Sequence, residues 1–118
     1  MSISLIKSVD NFVFGEGSFQ NIKKIIEKRQ EIHKQDGLSQ LFIFYFDAYF
    51  KSQSKIINKC KLINNVEIKF IDSSIEPTTS LIDNLRDDLF LLPDLPSGLV
   101  AVGGGNTLDT VKAISNLL

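Results

Sequence analysis

The stretch from Gly98 to Ser115, GLVAVGGGNTLDTVKAIS, contains the clearest structural signal in the chain. Its opening residues are apolar on both faces, as in a strand of a parallel sheet that helices cover on both sides. Three glycines follow, and Val111 and Ile114 then recur at helical spacing. The stretch therefore predicts a buried strand, a glycine loop and a helix that begins near Thr107.

The same alternation of strand and helix runs through the rest of the chain. An apolar run at 41–46 predicts a buried strand, and an alternating run at 66–71 predicts a second strand with Val66, Ile68 and Phe70 on its apolar side. Three amphipathic segments predict helices: after Ser18, around Ile56 and Ile57, and from Pro77. Alternating apolar residues on either side of turn formers predict a short N-terminal β-hairpin: Ile3, Leu5, Phe12 and Phe14. We expect one α/β domain over residues 1–118, with a Rossmann-like parallel sheet, helices on both faces and the hairpin in front.

Composition and charge exclude several classes of partner. The chain is 43% hydrophobic with a formal net charge of -1, so no electrostatic attraction to nucleic acid or to a membrane surface is expected. Its longest apolar stretch falls well short of the about 20 residues that a membrane helix needs. Its first residues lack the basic region and cleavage pattern of a secretory signal. These features predict a cytoplasmic protein that binds neither nucleic acid nor a membrane.

The glycine loop is the main candidate for chemistry. Gly103, Gly104 and Gly105 carry no Cβ, so backbone amides there can lie close to a phosphate. The helix that follows would add unpaired amides and a positive dipole end, and the side chains of Asn106 and Thr107 could add hydrogen bonds. The alternative is purely structural: a tight turn and a close helix-to-strand contact, with Asp109 as an N-terminal helix charge.

Residues 100–115 closely resemble the glycine-rich signature of the iron-containing alcohol dehydrogenase and glycerol dehydrogenase family, within the dehydroquinate synthase-like superfamily. Other matching features follow in the order that the family shows: a phenylalanine-glycine turn at 14–19, a strand that ends in Asp47, then Asp72 and the segment 76–78. The resemblance covers essentially the whole chain. The spacing is most similar to the branch of 3-deoxy-octulosonate 8-oxidases, which act on a sugar acid.

The resemblance implies a cofactor and the residues that bind it. In the family, the aspartate after the early strand hydrogen-bonds the adenosine ribose, so Asp47 would favour NAD and repel the 2′-phosphate of NADP. The expected cofactor-binding set follows from the matched motif: Asp47, Gly103, Gly104, Gly105, Asn106, Thr107 and Asp109. Asn106 stands where the family usually has serine, and Glu76 where it usually has asparagine, which weakens the match at those two points. Without the family, Asp47 is a turn residue at a strand end.

The resemblance also implies a metal that this chain is not expected to hold. The family binds its divalent metal, iron or zinc, through one aspartate and three histidines of a helical C-terminal domain, and His33 is the only histidine here. We expect His33 to be an exposed surface residue and Cys60, the only cysteine, to be a small buried hydrophobe. The metal-binding domain is expected to be absent, and no catalytic residue or turnover is assigned to this chain alone.

The function implied for the complete enzyme is hydride transfer between NAD and an alcohol or aldehyde. Two alternatives stay open: a dehydroquinate-synthase-like lyase, and a non-enzymatic nucleotide-binding or assembly module, which an open reading frame ending at Leu118 would favour. The expected partners are a dinucleotide, the missing C-terminal domain and a second copy of the chain. Self-association is expected because the final helix ends in an apolar face at Leu117 and Leu118, and because the hairpin edge is free to pair.

Overall fold

The structure is a computed structural model that describes residues 2–6, 12–14, 19–72 and 77–118. The described elements follow one another in chain order: β1 (Ser2–Ile6), β2 (Phe12–Phe14), α1 (Phe19–Gln35), β3 (Phe42–Asp47), a 3-10 helix (Ala48–Ser52), α2 (Ser54–Lys61), β4 (Val66–Ile71), α3 (Thr79–Phe90), β5 (Gly98–Gly103) and α4 (Gly105–Asn116). Strands and helices alternate from β3 onwards, which confirms the predicted α/β class.

The strands form a five-stranded sheet in the order β2-β1-β5-β3-β4. The strand β3 pairs in parallel with both β4 and β5, so the three strands that alternate with helices make the parallel part. The predicted hairpin is present, and β1 adds it antiparallel to β5. The hairpin edge formed by β1 is therefore paired within the chain, and the expectation that this edge pairs with another molecule applies only to β2.

Helices cover the parallel strands on both faces, as predicted. One face packs against α1 and α2, with a cluster of buried residues that includes Ile26, Phe44, Ile57 and Val100. The other packs against α3 and α4, with Tyr45 and Ile114 among its buried members. Because β3 lies between β4 and β5, its residues 42–46 are fully buried. Burial of these large apolar side chains is the main source of stability.

Several element boundaries and exposures differ from the sequence predictions. The helix α4 begins at Gly105, two residues before the predicted Thr107, because Gly104 is still extended and acts as its N-cap. Phe70 was expected to alternate inward with Ile68, but it is 36% exposed since β4 is an edge strand. At the end of α4, Leu117 is 45% exposed, whereas Leu118 packs against the core. The predicted hairpin turn, residues 15–18 of the phenylalanine-glycine turn and Glu76 lie outside the described residues.

Candidate functional site

The carboxyl ends of β3 and β5 lie side by side at one end of the sheet, the position where open α/β sheets have their ligand crevice. The two strands are parallel neighbours with Phe46 opposite Val102, so Asp47 and Gly103 follow side by side. After β3 the chain continues to α2 on one face of the sheet, and after β5 it continues to α4 on the other. A ligand in an open α/β sheet binds where adjacent connections diverge in this way. The crevice is therefore where the topology favours a ligand.

Gly103 is required by close packing inside the molecule. A Cβ at this position would lie 2.9 Å from Thr107 Oγ1 and 3.0 Å from Asp47 Cβ. Its φ of +155° is also one that residues with a side chain rarely adopt. The structural alternative, a tight turn with a close helix-to-strand contact, accounts for this glycine. The same contacts bring together Asp47, Gly103 and Thr107 from three different elements.

Gly104 and Gly105 differ from Gly103 because no described residue lies close enough to require a glycine at either position. A Cβ at either position would meet no atom within 4 Å, and both residues are exposed. Glycine in regular structure costs stability relative to alanine, through its greater conformational freedom in the unfolded chain. Two glycines without an internal steric reason leave the backbone accessible from solvent, which the phosphate interpretation of the loop requires.

The N-terminus of α4 is left without a side-chain cap. Its N-cap, Gly104, has no side chain that could accept a hydrogen bond, and the helical ladder begins with Leu108 N donating to Gly104 O at 3.1 Å. The helix α3 has the same length but is capped by Thr78, whose Oγ1 accepts a hydrogen bond from Leu81 N at 3.1 Å. The first-turn amides and the positive dipole end of α4 therefore favour an anion from outside the helix.

Thr107 lies beneath the glycine loop and is completely buried. Its Oγ1 has no hydrogen-bond partner among the described residues, which is unusual for a buried hydroxyl. The adjacent contact is made by Thr110, whose Oγ1 donates to Asn106 O at 2.7 Å and so fixes the first turn of α4. Sequence reasoning missed Thr110, although a threonine inside a helix commonly donates to the carbonyl four residues earlier. Among the described residues of α4, the Thr107 hydroxyl is the buried side-chain group without a hydrogen-bond partner.

Asp47 and Asp109 occupy different positions relative to the loop. Asp47 is half-buried, and its Oδ1 accepts a hydrogen bond from Tyr49 N at 3.1 Å, which caps the 3-10 helix. This is the turn role that the sequence left open, and a carboxylate has further acceptor sites for a ribose hydroxyl. Asp109 is exposed and lies beyond the first turn of α4, which contains no acidic residue. The alternative that made Asp109 an N-terminal helix charge is therefore wrong.

Two residues set aside as non-catalytic have defined environments. Cys60 is buried in the cluster under α1 and α2, and burial raises the pKa of its thiol to about 12, so the structural interpretation is confirmed. His33 was expected to be exposed, but it is half-buried, with Nδ1 at 2.8 Å from Ser97 Oγ. The described ranges contain no group of three or more His, Cys, Asp or Glu residues that could hold a metal ion.

A cleft of about 570 Å³ lies at the opposite end of the sheet, where β3 and β5 begin. Residues of the loops that precede β3 and β5 line it, together with the end of α1: His33, Gly37, Leu38, Ser39, Asp94, Leu95, Pro96 and Ser97. His33 Nδ1, Ser97 Oγ and Ser39 O lie in contact there, so these polar groups link the end of α1 to the loops before β3 and β5. Because open α/β sheets bind ligands at the carboxyl ends of their strands, we assign the candidate site to the crevice at that end.

Neither protein-family models nor solved structures gave a match to the chain. Among the described helices, none combines the length and apolar character needed to cross a bilayer. The function is therefore inferred from the geometry of the crevice and from the resemblance of residues 100–115 to the dehydrogenase signature.

Proposed function

We propose that this chain binds NAD as the dinucleotide-binding part of a dehydrogenase related to the iron-containing alcohol dehydrogenases. One observation carries the proposal: Gly104 and Gly105 lie open to solvent at the uncapped start of α4. They stand where the chain connections diverge, next to Asp47 at the end of β3. The buried Thr107 hydroxyl, for which the described part of the chain supplies no hydrogen-bond partner, supports the same position.

The proposed binding mode uses groups whose chemistry complements a dinucleotide. The first-turn amides of α4 donate hydrogen bonds to pyrophosphate oxygens, and the helix dipole stabilises the negative charge. The Asp47 carboxylate accepts a hydrogen bond from an adenosine ribose hydroxyl, as in the doubly wound dinucleotide-binding folds. Because a carboxylate repels a 2′-phosphate, NAD is favoured over NADP.

The chemistry of the bound cofactor would be hydride transfer between its nicotinamide ring and an alcohol or aldehyde. This chain's role in that reaction is to bind and orient the cofactor, with no catalytic residue assigned among those described. The iron-containing alcohol dehydrogenases bind their metal through one aspartate and three histidines, and the described residues contain no such group of ligands. No step through a metal is therefore assigned to these residues. The lyase and the non-enzymatic module stay alternatives, because each would use the same glycine loop.

Calorimetric titration of the chain with NAD and with NADP tests the proposal. A Gly105→Val variant places a side chain in the open space at the first residue of α4 and should abolish or strongly weaken NAD binding. Thr79→Val is the matched control, because Thr79 is the exposed first residue of α3, a helix of the same length. It should bind NAD like the native chain, and NADP should bind more weakly than NAD.

Two results would count against this function. If the folded native chain gives no heat with either dinucleotide, the crevice does not bind a dinucleotide by itself. If Gly105→Val and the native chain bind NAD equally, the cofactor is bound elsewhere. Circular dichroism of each variant establishes that the protein compared is folded.

A further inference from the structure

The strand β4 forms one edge of the sheet, and its outer side is unpaired among the described residues. An edge strand presents a row of backbone donors and acceptors that another strand can pair with. Proteins usually block such edges with charged side chains, bulges or covering loops. What the β4 edge presents is determined by its register with β3 and by the order of its side chains.

The register shows which backbone groups of β4 face outward. Phe42 lies opposite Val66 in the parallel ladder, and Phe42 N donates to Asn65 O at 2.9 Å. In a parallel ladder alternate residues direct their N–H and C=O groups to opposite sides of the strand. The odd-numbered residues of β4 therefore bond to β3. The even-numbered residues Val66, Ile68 and Phe70 direct their N–H and C=O groups to the free edge.

The side chains of β4 form an apolar row on one face and an ionic row on the other. Val66 and Ile68 pack against the cluster under α1 and α2, and the Phe70 ring lies 6.2 Å from that of Phe46. Because side chains alternate along a strand, Glu67 and Lys69 lie on the face of α3 and α4. Neither makes an ion pair with another described residue.

We propose that two copies of this chain pair antiparallel through β4, about a two-fold axis at Ile68. This register places Glu67 of each copy opposite Lys69 of the other, which gives two symmetry-related ion pairs. They fall at non-hydrogen-bonded positions, where opposed side chains are closest, because Ile68 and its copy form a hydrogen-bonded pair. On the other face Val66 of each copy lies opposite Phe70 of the other, whose part-exposed ring also has Lys51 Nζ of its own chain 5.5 Å from its centroid.

Charge complementarity selects this register over its neighbours. Moving the two-fold axis by one residue to Glu67 places two glutamates opposite each other, and moving it to Lys69 places two lysines opposite each other. Like charges directly opposite destabilise a strand pair. A lone lysine at this edge would act as a block against pairing. Here Glu67 stands at the position that an antiparallel copy brings to Lys69, so the edge is self-complementary.

Sedimentation equilibrium of the native chain and of charge variants tests the proposal. The native chain should form a dimer, and Glu67→Lys or Lys69→Glu alone should raise its dissociation constant roughly 10- to 100-fold, since two attractive pairs become repulsive. An equimolar mixture of the two single variants should recover the dimer, as should the double exchange E67K/K69E. Glu27→Lys, on the exposed surface of α1, makes the same change in net charge as Glu67→Lys and should leave dimerisation unchanged.

The proposal is overturned by either of two results. One is a native chain that stays monomeric at every protein concentration measured. The concentrations must extend to high values, because pairing through one strand buries little area and gives a weak dimer. The other is a dimer that the single variants form as readily as the native chain, which would place the interface elsewhere. NAD binding is not needed for the dimer, so this test is independent of the proposed function.

Discussion

The substitution Gly105→Ala tests whether Gly105 is needed for a ligand, in contrast to Gly103, which internal packing requires. An alanine Cβ at this position would meet no atom within 4 Å, and Gly105 is the first residue of α4. Alanine reduces the conformational freedom of the unfolded chain, so the substitution should raise the free energy of unfolding by about 0.5 kcal/mol. For a domain of this size that gain corresponds to about 2–3 °C in Tm.

Gly103→Ala is the matched comparison, two residues earlier in the same loop. Its Cβ would lie 2.9 Å from Thr107 Oγ1 and 3.0 Å from Asp47 Cβ, at a φ of +155°. These close contacts and the backbone strain should lower the free energy of unfolding by about 1–3 kcal/mol. Urea unfolding followed by circular dichroism measures both changes, and an unchanged m-value shows that the comparison is of like states.

The two variants together test the reasoning. If Gly105→Ala destabilises the chain as much as Gly103→Ala does, the space beside Gly105 is not open and the argument for an accessible backbone fails. Calorimetric titration with NAD tests the functional role of Gly105, since Gly105→Ala should weaken NAD binding although it stabilises the fold. A more stable protein with unchanged affinity would show that Gly105 does not approach the phosphate.

Three further outcomes are expected from buried polar groups. Tyr45→Phe should raise the free energy of unfolding in urea by about 1 kcal/mol, because it removes a buried hydroxyl that has no hydrogen-bond partner among the described residues, and a loss of stability would contradict this. Thr107→Val should leave stability equal or higher for the same reason while it weakens NAD binding by calorimetry; native affinity would show that the hydroxyl does not contact the ligand. Burial raises the pKa of Cys60 from 9.0 to about 12, so above about pH 9 the unfolded chain loses a proton that the folded chain keeps. The free energy of unfolding should therefore fall between about pH 9 and pH 12, less steeply in Cys60→Ala, and equal slopes in urea titrations across that range would refute the assignment.

The elements with strong apolar patterns could be predicted from the sequence. The bounds 66–71 of β4 agree with its alternating residues, and the buried run at 41–46 became the central parallel strand β3. Side-chain periodicity fixes these elements because one or both faces must be buried. It does not indicate which strand lies at the edge of the sheet, and for that reason the exposure of Phe70 was not foreseen.

The parts of the site that escaped prediction depend on contacts between distant residues. The start of α4 at Gly105 was missed because glycine has low helix propensity, and only the open first turn allows it there. The bond between His33 and Ser97 joins residues from α1 and the loop before β5, which no local pattern connects. The likeness to a known signature made the loop residues candidates for a cofactor site, whereas the different surroundings of Gly103 and Gly105 became visible only from the distances.

The position of β5 has a consequence for how the chain folds during synthesis. It is the last of the described strands to leave the ribosome, yet it lies between β1 and β3 in the sheet, and its Gly103 pairs with Ser2. Until it emerges, the nascent polypeptide contains a hairpin and a separate β3-β4 pair, each with an unsatisfied edge and exposed apolar side chains. Such intermediates are prone to aggregate, and pairing over so long a sequence separation is slow. The glycine loop directly follows β5, so a chain synthesised only as far as α3 lacks both the complete sheet and the loop to which we assign the proposed cofactor site.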